Sequence, residues 1–294
     1  MAFGLSWEDI SLRYVEFLGY FGIYGALGFR ILLSRLKATH SGAHYATEIA
    51  KITEVSERRA ATIGCFGSLL LIAELVMSAG QAAAKHPSLL HAILHPGPKI
   101  LTELVFGFIA LFAFLGALNS IRSAWGLAAI AGVGFVFRNI ASRRATAVVN
   151  PLHEAGAALW LGTLLVLVIV GLPAVMYATG EHRRRVMAEL VANFSPIALS
   201  AAGLMALTGV ITSWTHLKHI AALWTTAYGR TLDLKLGMVA IVAALGAWNW
   251  RRIGPALKTE DAVGVLRRTS TTELAFGAIV LLFTAVLVLL PSPK

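Results

Sequence analysis

The sequence predicts an all-α integral membrane protein, a bundle of about eight transmembrane helices, and three observations carry that reading. Of 294 residues, 57% are hydrophobic and 14% charged, against roughly 25% charged in an ordinary soluble domain; mean hydropathy is +0.73. Several apolar stretches approach about 20 residues, the length that crosses roughly 30 Å of hydrocarbon. They are continuous rather than alternating and far exceed the roughly 10 residues of a barrel strand, so helices are expected.

Taken in order, the expected spans are 17–34, 60–84, 104–121, 123–137, 155–178, 194–215, 236–250 and 274–290. The first carries Arg30 toward its inner end, where the guanidinium can snorkel to lipid headgroups. The second holds the single cysteine, Cys65, which reads as a small core residue because no CxxC or disulfide partner exists. The spans divide into an N-terminal four-helix region (1–145) and a four-helix core (146–294). Met1 to Arg13 contains Glu8 and Asp9 and lacks a basic start with a small-residue cleavage site, so the first span is expected to direct insertion itself.

With eight spans both termini share one side. The connections on the opposite side carry fourteen Lys and Arg, against ten on the side of the termini. Cytoplasmic loops hold the basic excess, which predicts periplasmic termini in a bacterial cytoplasmic (inner) membrane. Arg138, Arg143 and Arg144 run against this bias. A net charge of +10 then reads as basic loops beside anionic lipid, and nucleic acid is not an expected partner. No Walker A sequence, phosphorylation motif, GxSxG, HExxH or dinucleotide fingerprint occurs in a suitable context, so no enzyme is predicted.

Placed by depth, the polar residues gather toward the side of the termini. Glu74 lies about ten residues, roughly 15 Å, below the outer end of the second span. An ionisable group there costs about 2.5–3.5 kcal/mol and is a functional candidate by default. Met77, Ser78 and Gln81 follow at helical spacing, making a stripe that leads inward or serves helix–helix hydrogen bonds. The loop KHPSLLHAILHPGPK holds His86, His91 and His95, of which the last two stand four apart. Imidazoles at that spacing share one ion if the loop is helical, and are solvated otherwise. His153 and Glu154 open the fifth span, and His216 and His219 lie three apart at the end of the sixth. Met77, Met205 and Met238 add thioethers. Thioether with imidazole suits copper, Cu(I) above Cu(II), while magnesium or calcium would ask for a carboxylate cage. Trp214 and Trp224 read as interfacial anchors.

Several separated segments carry a resemblance. HEAGAALWLGTL, FSPIALSAAGLMALTGVITSW, LWTTAYGRTLDLKLG and ELAFGAIVLLFTAVLVLLPSP follow one another from His153 to Pro293 in an order and spacing that is similar to the copper resistance protein D (CopD) family. His153, Trp160, Phe194, Ser195, Pro196, Tyr228, Gly229 and Lys235 fall on the family's pattern. Pro196, near a helix start, and Gly162 and Gly209, in close helix contacts, need no ligand to explain them. The start of the fourth span, AWGLAAIAG, lacks a histidine that the pattern would place there.

The resemblance implies a copper-binding membrane protein, linked to copper resistance or homeostasis, that moves copper from periplasm to cytoplasm beside a periplasmic copper-binding protein. The residues supply a candidate donor set for it: His86, His91, His95, His153, His216 and His219 at the outer face, with Glu74 and Met77 for an inner step. Two other readings stay open. A b-type haem held by His153 and His216 would move electrons, although these histidines are expected at helix ends; alternatively, the chain is a non-transporting partner of a periplasmic copper chaperone.

Overall fold

The computed structural model describes residues 6–39, 46–84, 98–142, 144–176, 180–217, 219–253 and 260–291. Among them there are no strands, and eight helical segments are long and apolar enough to cross a membrane. These are α1 (Trp7–Thr39), α2 (Ala46–Ala84), α3 (Pro98–Leu118), α4 (Ala124–Val136, whose span is carried on to Ser142 by turns), α5 (Thr146–Val175, with a π turn at Leu167–Gly171), α6 (Gly180–Leu217), α7 (Ala227–Trp248) and α8 (Glu260–Leu289). A single helical turn, Ala222–Thr225, precedes α7.

Several helices outrun the apolar stretches that predict them. α2 starts at Ala46 and α6 at Gly180, both about four turns before the expected spans. The extra turns are built from good helix formers with ion pairs four residues apart: Arg58 to Glu54 at 3.1 Å and Arg185 to Glu189 at 3.2 Å. Pro196 therefore sits inside α6 rather than near its start. Proline has no N–H to donate back along the helix, and the neighbouring Ser195 hydroxyl donates to the Val191 carbonyl at 3.0 Å.

α1 is the central post, packed against α2, α4, α5, α6 and α8. It carries Gly19, Gly22, Gly25 and Gly28 at every third position, split between two partners. A Cβ on Gly22 would come within 2.8 Å of Gly67 Cα on α2, and one on Gly25 within 2.5 Å of the Gly162 carbonyl oxygen on α5. Without a hydrophobic drive between helices in lipid, such close backbone approach is what holds them together. The α1–α5 crossing thus ties the first four helices to the last four. Tyr24 adds a link to α4, its hydroxyl donating to the Gly132 carbonyl at 2.6 Å.

At the end of α1 away from the termini, Arg30 does not reach for headgroups as expected. It pairs with Glu57 of α2 at 3.1 Å, a carboxylate it shares with Lys37 at 2.5 Å, and its guanidinium lies 5.8 Å from the Trp125 ring centre. A partner within reach in the bundle is better for a half-buried cation than the trip to the interface. Cys65 is buried, as predicted.

α6 packs on α5 and α7 packs on α8, yet α6 scarcely meets either α7 or α8. The gap between the two pairs, backed by α1, is where the site lies.

Candidate metal-handling cavity

The gap forms a cavity of about 650 Å³, into which α5 and α6 bring His153, Met205 and His216, with His219 following at the mouth. Because α5 begins at Thr146, His153 stands about two turns inside the helix, not at its end as the apolar boundary suggested. Its Nδ1 is 2.8 Å from the Met205 carbonyl oxygen and 3.3 Å from the Thr208 hydroxyl. A carbonyl only accepts, so Nδ1 carries the proton and Nε2 keeps its lone pair. That is the arrangement of an imidazole prepared to ligate: one nitrogen held by a backbone acceptor, the other free for a metal. Gly209 makes room for it, since a Cβ there would lie 2.9 Å from His153 Cε1.

His216 repeats the device one tier outward. Its Nδ1 lies 2.7 Å from the Thr212 carbonyl oxygen, one turn back on α6, leaving Nε2 free in the same way. The ring stacks on Tyr228, with centres 6.0 Å apart and planes at 12°. The TTAYGR segment explains itself here. The Thr226 side chain caps α7 by accepting from the Gly229 N–H at 3.0 Å, Tyr228 faces His216, and Gly229 packs on the Ala222 carbonyl where no Cβ fits. Asn150 ties α5 to α6 by accepting from the Thr212 hydroxyl at 2.9 Å.

Three of the predicted donors, His153, His216 and His219, therefore share one cavity, with Met205 beside them. They are spread along it: among the described residues no three His, Cys, Asp or Glu groups stand together as a metal cage. His86, His91 and His95 lie outside the described residues. Glu74 and Met77 do not line the cavity. Glu74 is 2% exposed and accepts from Ser78 at 2.6 Å, whereas Met77 is 56% exposed. Three residues turn a helix by about 300°, and the edge of the buried face falls between the two, so the expected stripe keeps its carboxylate and hydroxyl but not its thioether. Gln81 donates to Glu8 on α1 at 2.6 Å.

Behind the cavity lies a charge network that the sequence reading missed in part. Glu154, on the cavity wall, is joined to Arg138 at 2.5 Å, and Arg138 lies 2.7 Å from a carboxylate oxygen of Glu103. Both Arg138 and Glu103 are buried, with side chains 6% and 2% exposed. Arg138 also stands 5.2 Å from the ring centre of Tyr20. Burial of Arg138 removes it from the loop charges that ran against the predicted orientation. The available signal was a lone charge flush with the edge of an apolar run.

Residues 188–287 match the copper resistance protein D (CopD) family. The match takes in most of α6, all of α7 and most of α8, three of the helices that wall the cavity, and bears out the resemblance drawn from the sequence motifs. Over 142 residues, 48% of this chain, the sequence is 30% identical to the copper transport protein CutJ of Bacillus subtilis (strain 168). The aligned part is 25% of that relative, so the chain spans about a quarter of its length. No solved structure matches.

Proposed function

We propose that this protein passes copper across the bacterial cytoplasmic membrane, inward from the periplasmic side, through the cavity beside His153. What carries the reading is that three of the helices walling this cavity, α6, α7 and α8, hold the CopD match, while its deep imidazole, His153 on α5 just outside that match, is held by Nδ1 with Nε2 free. Imidazole with thioether favours Cu(I), and donors spaced along a passage suit an ion that must leave as well as enter. Copper is cargo here, and the protein is a carrier rather than an enzyme. His216 and His219 receive the ion near the mouth and His153 takes it deeper. Histidines 86, 91 and 95 are proposed to capture copper on the same side, from a periplasmic copper-binding protein. Glu74, about three turns from the outer end of its helix and away from the cavity wall, and Met77 are kept as a proposed inner step rather than as first ligands.

His153→Ala is expected to lower cellular copper accumulation about tenfold at equal membrane abundance, the order of loss found when one group supporting a metal site is removed. Unchanged accumulation at equal abundance would exclude His153 from the route.

A further inference from the structure

The cavity is much larger than copper needs. An ion held by donors at about 2 Å fills a small part of 650 Å³, a volume in the range of about 300–1,000 Å³ that accommodates organic ligands. Its inner part is apolar, floored by the buried side chains of Leu161, Val242, Val280 and Leu281. Above that floor stands Lys235. Among the described residues it makes no hydrogen bond or ion pair, and the carboxylate whose field reaches it, Glu154, is already joined to Arg138. An ammonium on a largely apolar wall without a partner is costly unless an anion meets it. The cleft also opens sideways: Val210, Trp214 and Val288 line it and are 70%, 70% and 55% exposed, on surface that faces lipid in a membrane-spanning bundle.

We propose that the cavity binds a single-chain carboxylate amphiphile drawn from the bilayer, a fatty acid, with its headgroup on Lys235 and its acyl chain on the apolar floor. Val242 lies seven residues, about 10 Å, deeper than Lys235 along α7, so several methylenes fit below the headgroup and the remainder leaves by the lateral opening. A slim carboxylate reaches this depth more readily than a phospholipid headgroup. The site rests on the cavity and on Lys235 and holds with or without copper passage.

The test uses the full chain in detergent and displacement of a dansyl-labelled undecanoic acid. Oleate is expected to compete about tenfold better than monoolein, which has the same chain without the charge, as one charge-assisted contact predicts. Lys235→Gln should remove that difference by weakening oleate alone, and Val242→Trp should weaken both by filling the floor. Equal competition by oleate and monoolein in the wild type would overturn the proposal even if the Lys235 variant failed to fold, and unchanged oleate affinity in a folded Lys235→Gln would do the same. Phosphatidylglycerol outcompeting oleate would overturn the fatty-acid assignment in favour of a phospholipid. Copper content measured on the same wild-type preparations separates the two claims: oleate binding without copper sinks copper passage alone, and copper without oleate binding sinks the lipid site alone.

Discussion

Arg138→Met is expected to destabilise the bundle by about 3–5 kcal/mol, the usual cost of removing one partner from a buried ion pair. The guanidinium is the cation joined to both Glu103 and Glu154, and it is buried with Glu103 among α1, α3, α4 and α5. Without it Glu154 loses this partner and Glu103, almost fully enclosed, keeps only the more distant Lys99 at 3.9 Å. Thermal denaturation in detergent and the amount of protein in the membrane both report the loss. Adding Glu103→Gln to Arg138→Met should recover part of it, because the second change removes the stranded charge. A single variant as stable as the wild type would show that the network does not hold these helices together.

Gly25→Leu is expected to be the most damaging change on α1. The backbone of α1 meets that of α5 at Gly25 and Gly162, where even one added carbon would lie 2.5 Å from a carbonyl oxygen. Backbone cannot give way as a flexible side chain does. Alanine should already cost about 1–3 kcal/mol as overpacking, and leucine should prevent α5 from docking. The readouts are membrane abundance and resistance to limited proteolysis of the α4–α5 connection. Normal abundance of Gly25→Leu would contradict the close crossing. Gly80, where an added Cβ would meet nothing within 4 Å, provides the control: Gly80→Ala should be tolerated.

The helices were legible because apolar length is a strong signal, and the structure contains all eight. Their ends were not, and the errors share one cause. Several apolar runs end at a charge on their edge, leaving Glu16, Glu103, Arg138, Glu154 and Glu273 each one residue outside an expected span. In the structure the four glutamates continue helices and Arg138 lies in the turn just after α4, and Glu16, Glu103 and Glu273 are buried. Hydropathy treats a charge as solitary, whereas here partners offset the cost: Arg13 stands 2.6 Å from Glu16, Arg138 joins Glu103 and Glu154, and Asn249 donates to Glu273 at 3.2 Å. Those partners come from elsewhere along the chain or from other helices, and a single sequence does not pair them. Glu74 was found because it lies well inside its run.

The site was legible to a similar degree. His153 stood out as an imidazole at the head of an apolar run, and His216 and His219 by their spacing. Helical periodicity alone did not reveal that the Met205 carbonyl fixes the His153 ring or that Gly209 clears its place, because both lie more than 50 residues away on α6. Every third residue from Gly19 to Gly28 is glycine, a pattern visible in the sequence whose meaning appears only when α2 and α5 are seen on its two sides.

The most direct test of copper handling at His153 is elemental analysis of copper and iron per chain on purified wild-type protein and His153→Ala, after loading with Cu(I) and washing. The account predicts copper near one per chain or above in the wild type, a marked loss in the variant, and no iron in either. Equal copper in both proteins would contradict the role of His153, and stoichiometric iron with little copper would replace copper passage with a haem protein.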